Sequence, residues 1–388
     1  MWFSGLAAVA AKVGVKVTYD LSATPFFLGG SGYREGTLFP WVVSDFSLID
    51  AIESGLVKIP RVPVDDDRVS ARVTYLNLWE ELRGQLPTKG RAQTEATADH
   101  VPGALESAMR SPYGAYDRQF RAWQLRAEHE GGTPPVFIVV CSNTTVSKML
   151  FDWIAGWVKP LGDGVAVNVP GRFELFSNVV DGAWSTRPRT ILVDSAQLES
   201  GDAMSPEFKQ AAATEIEEFK AELAERFPGR SVEDVNDEDL LREVMNTVGK
   251  TGRLGEHIRC VVSVSMLTEG WDANTVSHIL GVRAFGTQLL CEQVVGRGRR
   301  RSYAVDPETE MFTPEYADVY GVPFQFIPNV APTRDLKIKP TRHVRFGRAG
   351  AVGNARIRRS ARGVDIRHGD HLARGVGEPL TTSSTCAA

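Results

Sequence analysis

Three short apolar runs, VFIVVC at 136–141, CVVSV at 260–264 and HILGV at 278–282, constrain most tightly what this chain can fold into. They are rich in β-branched residues and lack the polar/apolar alternation of a strand with one wet face. Such runs suit strands buried on both sides, as in parallel sheets covered by helices. Each leads into a polar turn or a helical pattern. A shorter run, Ile191–Asp194, fits the same scheme, and helical periodicity fills 206–227 and 237–248 between the runs. Strand, helix, strand, helix in this order predicts an α/β fold built on a parallel sheet with flanking helices.

Upstream, Gly5–Val13 reads as a helix and Val15–Leu21, VKVTYDL, as a strand running into Ser22-Ala23-Thr24-Pro25. A helix follows at Ser47–Ser54, with Ser47 placed to cap it. Val57–Val64 is extended and proline-broken and reads as a connector. Helices are expected at 73–83, at 115–130 and at 146–158. The second carries Tyr116, Phe120 and Trp123 on one face, a stripe best explained by core packing. Gly131–Pro135 marks a boundary. The resulting division is 1–60, 61–135, 136–340 and 341–388. The last segment holds nine arginines and no lysine, and reads as a disordered or aberrant tail, or as a flexible basic arm.

Composition narrows the function classes. The 388 residues allow two or three domains, and 43% apolar with 24% charged residues is ordinary for a globular chain. A net charge of −4 means that any nucleic-acid surface must be local. Cys141, Cys260, Cys291 and Cys386 form no C-x-x-C pair, so neither a zinc site nor a disulfide framework is expected. No run is long enough for a membrane span, and the apolar N-terminus has no basic segment before it, so a cytoplasmic location is expected.

The chemistry concentrates between 259 and 301. A short helix is expected to end in Gln293-x-x-Gly296-Arg297-x-x-Arg300, whose two arginines, three apart, share one helical face. The guanidinium fork matches phosphate oxygens and is always charged, and Gly296 allows close approach. Upstream, Thr268-Glu269-Gly270-Trp271-Asp272 offers a hydroxyl, backbone N–H groups at a glycine turn and a carboxylate. A solvated basic helix end and an ordinary acidic loop are the plain alternatives for each taken alone.

Together, and in this order after Ser22-Ala23-Thr24-Pro25, these elements resemble the second half of a superfamily 2 helicase. The stretch MLTEGWDANTV (266–276) with GVRAFGTQLLCEQVVGRGRRR after it is similar to the Res, helicase-nuclease, subunits of type III restriction enzymes, as are 39–64 and 193–209. The resemblance covers residues 1–340. It implies a second RecA-like lobe at 136–340 and the remnant of a first RecA-like lobe at 1–60. By resemblance, Arg297 and Arg300 are catalytic arginine fingers, and Gln293, Gly296, Gly270 and Asp272 lie at the nucleotide. Thr268, Ser142 and Asn143 would meet DNA, and Ser22 and Thr24 would couple the two sites. ATP with Mg²⁺, double-stranded DNA and a DNA methyltransferase subunit are the implied cofactors and partners.

The chain departs from that family in its phosphate cradle. No G-x-x-x-x-G-K-[ST] loop and no Asp-Glu-x-His box is present. Gly249-Lys250-Thr251 has Val244 where the first glycine belongs, and a helical pattern runs into it. Glu207-x-Lys209 and Glu218-x-Lys220 lie in a helical pattern with no strand-borne Asp before them, so no nuclease site is read. The expectation is therefore a translocase fragment inactive in ATP hydrolysis on its own, or alternatively a non-catalytic RecA-like module that binds DNA or a partner. A dinucleotide enzyme would need G-x-G-x-x-G between strand and helix, and the motif is missing.

Overall fold

The computed structural model describes residues 2–22, 25, 27, 32, 38–40, 42–63, 78–87, 98–130, 132–162, 165–193, 206–227, 235–264, 273–285, 288–300, 303, 305–323, 344–345, 358–360 and 363–367. These fall into two compact units, Met1–Phe46 with Asn329–Ala388, and Ser47–Pro328. The first unit contains helix α1 (Trp2–Val13).

The second unit is an α/β domain. Helix α2 (Leu48–Glu53) starts at Ser47, whose hydroxyl accepts from the Asp50 N–H while the Asp50 carboxylate takes the Ser47 N–H at 2.7 Å. This reciprocal box satisfies two of the donors a helix start leaves open. Then come β1 (Ile59–Arg61), α3 (Leu78–Leu82), α4 (Gly103–Glu130), β2 (Val136–Cys141) and α5 (Thr144–Ala155). Two hairpins follow, β3 (Gly156–Gly162) with β4 (Val165–Pro170) and β5 (Val179–Val180) with β6 (Ala183–Trp184). The chain continues through β7 (Thr190–Val193), α6 (Pro206–Ala211), α7 (Ala213–Arg226), α8 (Asp237–Asn246), β8 (Cys260–Ser263), β9 (Val276–Val282), α9 (Gln288–Val295) and β10 (Tyr316–Tyr320).

Six of these strands form one sheet in the order β1-β10-β9-β2-β8-β7, parallel throughout. The apolar runs at 136, 260 and 278 are its three central strands, and every residue of β2, β8 and β9 is buried. Alternate residues feed two cores. Val136, Ile138, Val140, Val261 and Ile279 pack with Phe208, Ile216, Leu240, Val244, Cys291 and Val294, which come from α6 to α9. Phe137, Val139, Cys141, Cys260, Val262 and Leu280 pack with Leu78, Leu105, Met109, Tyr116, Phe120, Met149 and Ile154 from α3, α4 and α5. Each such side chain, fully buried, contributes about 1.5–3 kcal/mol. The Tyr116 and Phe120 stripe is core, as its spacing indicates.

Several expectations are corrected here. Residues 57–64 are not a mere connector: Ile59–Arg61 pair in parallel with β10, and Pro60 is tolerated because β1 is an edge strand. Consequently 47–60 and the helices of 78–130 belong to the same unit as the sheet, so the divisions at 60/61 and 135/136 do not separate compact units. Helix α4 begins a dozen residues before the expected 115, with Pro112 inside it. The buried face Leu105, Ala108, Met109, Tyr116 and Phe120 holds the helix together across that proline. Helix α5 ends at Ala155, not 158, because Gly156 turns at φ +107 and a Cβ there would lie 2.7 Å from the Val169 oxygen. The long helix expected at 206–227 breaks at Ala212 into α6 and α7. Of the helix expected at 73–83, the described part is α3.

In the first unit, Val15–Leu21 belongs to no sheet, contrary to expectation. The arginine-rich tail, expected to be disordered, carries β11 (Val344–Arg345), β12 (Arg358–Ser360) and β13 (Gly363–Arg367) in the order β11-β13-β12. β12 and β13 run antiparallel with Arg358 opposite Asp365, and Val364 and Ile366 give β13 the alternation a strand needs.

Candidate functional site

β9 and β10 are parallel neighbours, so α9 between them must return the chain to the edge where the strands begin. The motif Gln293–Arg300 therefore ends at the amino edge of the sheet. It does not continue as a helix. α9 closes at Val295, and the N–H groups of Gly296, Arg297 and Gly298 bond back to Glu292, Val294 and Val295 at 2.8, 3.2 and 2.9 Å. Gly296 and Gly298 stop the helix, and a Cβ at 298 would stand 3.3 Å from that of Ala317 on β10. The two arginines thus lie past the helix, not along one helical face.

The turn is anchored twice. Gly298 O accepts from the Lys58 N–H at 2.7 Å, Arg299 bridges Val57, and the Arg300 N–H donates to Leu56 O at 3.1 Å. Lys58 is 2% exposed, and its Nζ donates to Asn274 O at 2.8 Å and Val276 O at 2.5 Å. One lysine therefore ties β1, the arginine turn and the entry to β9.

Arg300 is 5% exposed. Its guanidinium sits 4.9 Å from the Phe312 ring centroid, donates to Thr313 O and reaches Glu315 at 3.8 Å. Arg297 is half-buried, and burial lowers its pKa below the ordinary arginine value. Gln293 and Gly296 are likewise half-buried. Arg300 is thus the more deeply buried of the two arginines.

Ser142 and Asn143 lie at the opposite, carboxyl edge, about 20 Å away along strands of this length. Asn143 caps α5: its Oδ1 accepts from the Val146 N–H at 2.9 Å and its Nδ2 donates to Pro87 O at 3.2 Å. Arg283, immediately after β9, donates from Nη1 to Val264 O at 3.4 Å, linking the ends of β9 and β8 across β2. Burial lowers its pKa, and the buried Cys141 thiol nearby is pushed up by burial. This edge is where the strand order reverses around β2, the place ligands favour in open α/β sheets. Sequence reasoning passed over Arg283, although an arginine closing an apolar run was a visible signal. Ser22 is exposed and lies in the first unit. Thr24, Thr268, Gly270 and Asp272 lie outside the described residues.

Gly249-Lys250-Thr251 follows α8 and turns back through a Gly249 N–H to Gly255 O bond of 2.8 Å. A phosphate loop follows a strand, so this turn is not one. Burial lowers the Lys250 pKa, and Glu243 opposes that while Arg253 and Arg299 add to it. Among the described residues no group of three or more His, Cys, Asp or Glu could hold a metal ion. The Gly249-Lys250-Thr251 turn, placed after a helix, thus does not fit an ATP-phosphate cradle. Glu207 with Lys209 and Glu218 with Lys220 lie on α6 and α7, and both lysines pair with other acids, Asp237 at 2.5 Å and Glu217 at 2.9 Å.

Ser277, His278 and Asp318 form a chain as well. Ser277 Oγ lies 3.0 Å from His278 Nδ1, His278 Nε2 is 3.4 Å from Asp318, and Asp318 accepts from Arg61 at 2.7 Å. Ser277 and His278 are 2% and 1% exposed, so no substrate reaches them, and they belong to the packed interior where β9 meets β10. No helix among the described residues is long and apolar enough to cross a membrane. The chain matches no protein-family model and no curated protein.

Proposed function

We propose that the chain is the second-lobe portion of an ATP-dependent DNA helicase or translocase subunit of the type III restriction endonuclease kind, acting in the cytoplasm with a DNA methyltransferase subunit. The observation that carries this reading is the doubly anchored turn that presents Arg297 at the end of Gln293-x-x-Gly296-Arg297-x-x-Arg300. A charged fork on a fixed backbone is what stabilises developing phosphate charge. Arg297 takes the phosphate-facing role, with Gln293 and Gly296 beside it. Arg300, engaged by Phe312, Thr313 and Glu315, acts as a positioning residue. Gly270 and Asp272 are assigned to the nucleotide, and Thr268 to the DNA backbone, by resemblance alone. Ser142, Asn143 and Arg283, at the carboxyl edge, are assigned to the DNA backbone, and Ser22 and Thr24 to coupling. No ATP cradle is formed by the described residues, so phosphate and Mg²⁺ binding is assigned elsewhere.

The alternative, a non-catalytic binding module whose basic tail holds DNA or a partner, is favoured by that same lack of a cradle. Titrating labelled duplex DNA by fluorescence anisotropy separates the readings. Affinity should fall at least about tenfold between 50 and 200 mM salt as counterions are released. Deleting 341–388 should leave most of that affinity if the lobe binds DNA, and remove most of it if the tail does. A chain with no salt-dependent affinity for DNA contradicts both.

A further inference from the structure

Val15–Leu21 alternates Val15, Val17, Tyr19 and Leu21 with Lys16, Thr18 and Asp20. That is the period of a strand with one buried face. The four apolar side chains are nevertheless 41, 58, 76 and 101% exposed. The segment joins no sheet, and among the described residues none of its members makes a hydrogen bond, ion pair or ring contact. It leaves α1 through Gly14, at φ +71, whose N–H closes the helix on Ala10 O at 3.0 Å. Val9 and Val13 on α1, 51 and 70% exposed, extend the apolar surface.

We propose that this segment is a dimerisation strand, and that its occupant is the same segment of a second copy of this chain, paired antiparallel about a two-fold axis at Thr18. That register sets Val15 opposite Leu21, Lys16 opposite Asp20, Val17 opposite Tyr19 and Thr18 opposite itself. Three of the four are favoured cross-strand pairs, opposite charges, β-branched with aromatic and threonine with threonine, and the fourth, Val15 with Leu21, is apolar on both sides. Symmetry makes the Lys16–Asp20 pair twice. Centring the axis on Val17 or Tyr19 loses both ion pairs. Parallel pairing in register places Lys16 against Lys16 and Asp20 against Asp20. The sequence is therefore complementary to itself in one register, as an isologous contact requires. A two-stranded ribbon is marginal alone, so its apolar face, which gathers Val15, Val17, Tyr19 and Leu21 from both copies, takes cover from Val9 and Val13 of α1. The proposal does not rest on the function proposed above.

The test is sedimentation velocity of the full chain over a concentration series, with charge swaps. The full chain should dimerise. Lys16→Asp faces Asp20 with Asp, and Asp20→Lys faces Lys16 with Lys, so each single variant should raise the dimer dissociation constant by about tenfold or more. An equimolar mixture of the two variants, and the double variant Lys16→Asp/Asp20→Lys, should both regain dimerisation, because each restores opposite charges at both pairs. Among the described residues the substituted side chains have no hydrogen-bond or ion-pair partner, and unchanged circular dichroism checks the fold. A chain monomeric at every concentration overturns the proposal and leaves the strand to a different polypeptide. So does a dimer indifferent to the swaps, or one the mixture fails to restore.

Discussion

Arg300→Ala is expected to destabilise the 47–328 unit by about 3 kcal/mol, and Arg297→Ala by less. The two arginines stand in one motif, yet their surroundings differ. At 5% exposure Arg300 has exchanged water for the Phe312 ring, the Thr313 carbonyl and the Glu315 carboxylate. Truncation leaves the carbonyl without that donor and removes the Glu315 ion pair and a desolvated cation–π contact worth about 2 kcal/mol. Breaking a buried pair from one side costs about 3–5 kcal/mol, and the longer Glu315 separation of 3.8 Å argues for the lower end. Lysine is no substitute, since an ammonium has no flat fork to lay on the ring while donating to Thr313. Chemical denaturation of the three proteins gives the comparison. Equal losses for Arg297→Ala and Arg300→Ala would remove the distinction between a phosphate-facing arginine and a positioning one.

Lys58→Met is expected to cost about 2–4 kcal/mol, although methionine is of similar length and suits a buried site. The carbonyls of Asn274 and Val276 lose the Nζ donor, and neither can turn to water without distorting the start of a central strand. The loss should appear as a fall in melting temperature on the order of 5–10 °C. Lys58→Arg should also destabilise, because the larger head does not fit a site 2% exposed. A Lys58→Met protein as stable as the parent would mean that the anchor of the arginine turn is spare.

The central sheet was legible because its strands are buried on both faces, and continuous β-branched runs report that condition directly. The edge strand β1 was not. VKIPRVPV carries two prolines and two charged residues, with no clean period. Pairing with β10 makes it a strand, a tertiary effect that no local pattern encodes. Lys58 was invisible for a related reason: a lysine between apolar residues looks the same whether it faces solvent or two buried carbonyls. The arginine motif was legible as chemistry but not as shape. Its spacing suggested a shared helical face, whereas Gly296 and Gly298 stop α9 and separate the two side chains. Asn143, read as a DNA contact, shows a capping bond to Val146 that its position before a helix already allowed. Val15–Leu21 illustrates the converse. Its period is that of a strand, but a period says nothing of whether the mate lies in the same chain.

The most direct test of the central claim, that this chain carries a phosphate-facing arginine without its own ATP cradle, is phosphate release from Mg·ATP by the purified chain with and without duplex DNA. The expected result is turnover no greater than that of a blank in either case, and identical for Arg297→Ala. DNA-stimulated turnover by the chain alone, abolished by Arg297→Ala, would contradict it.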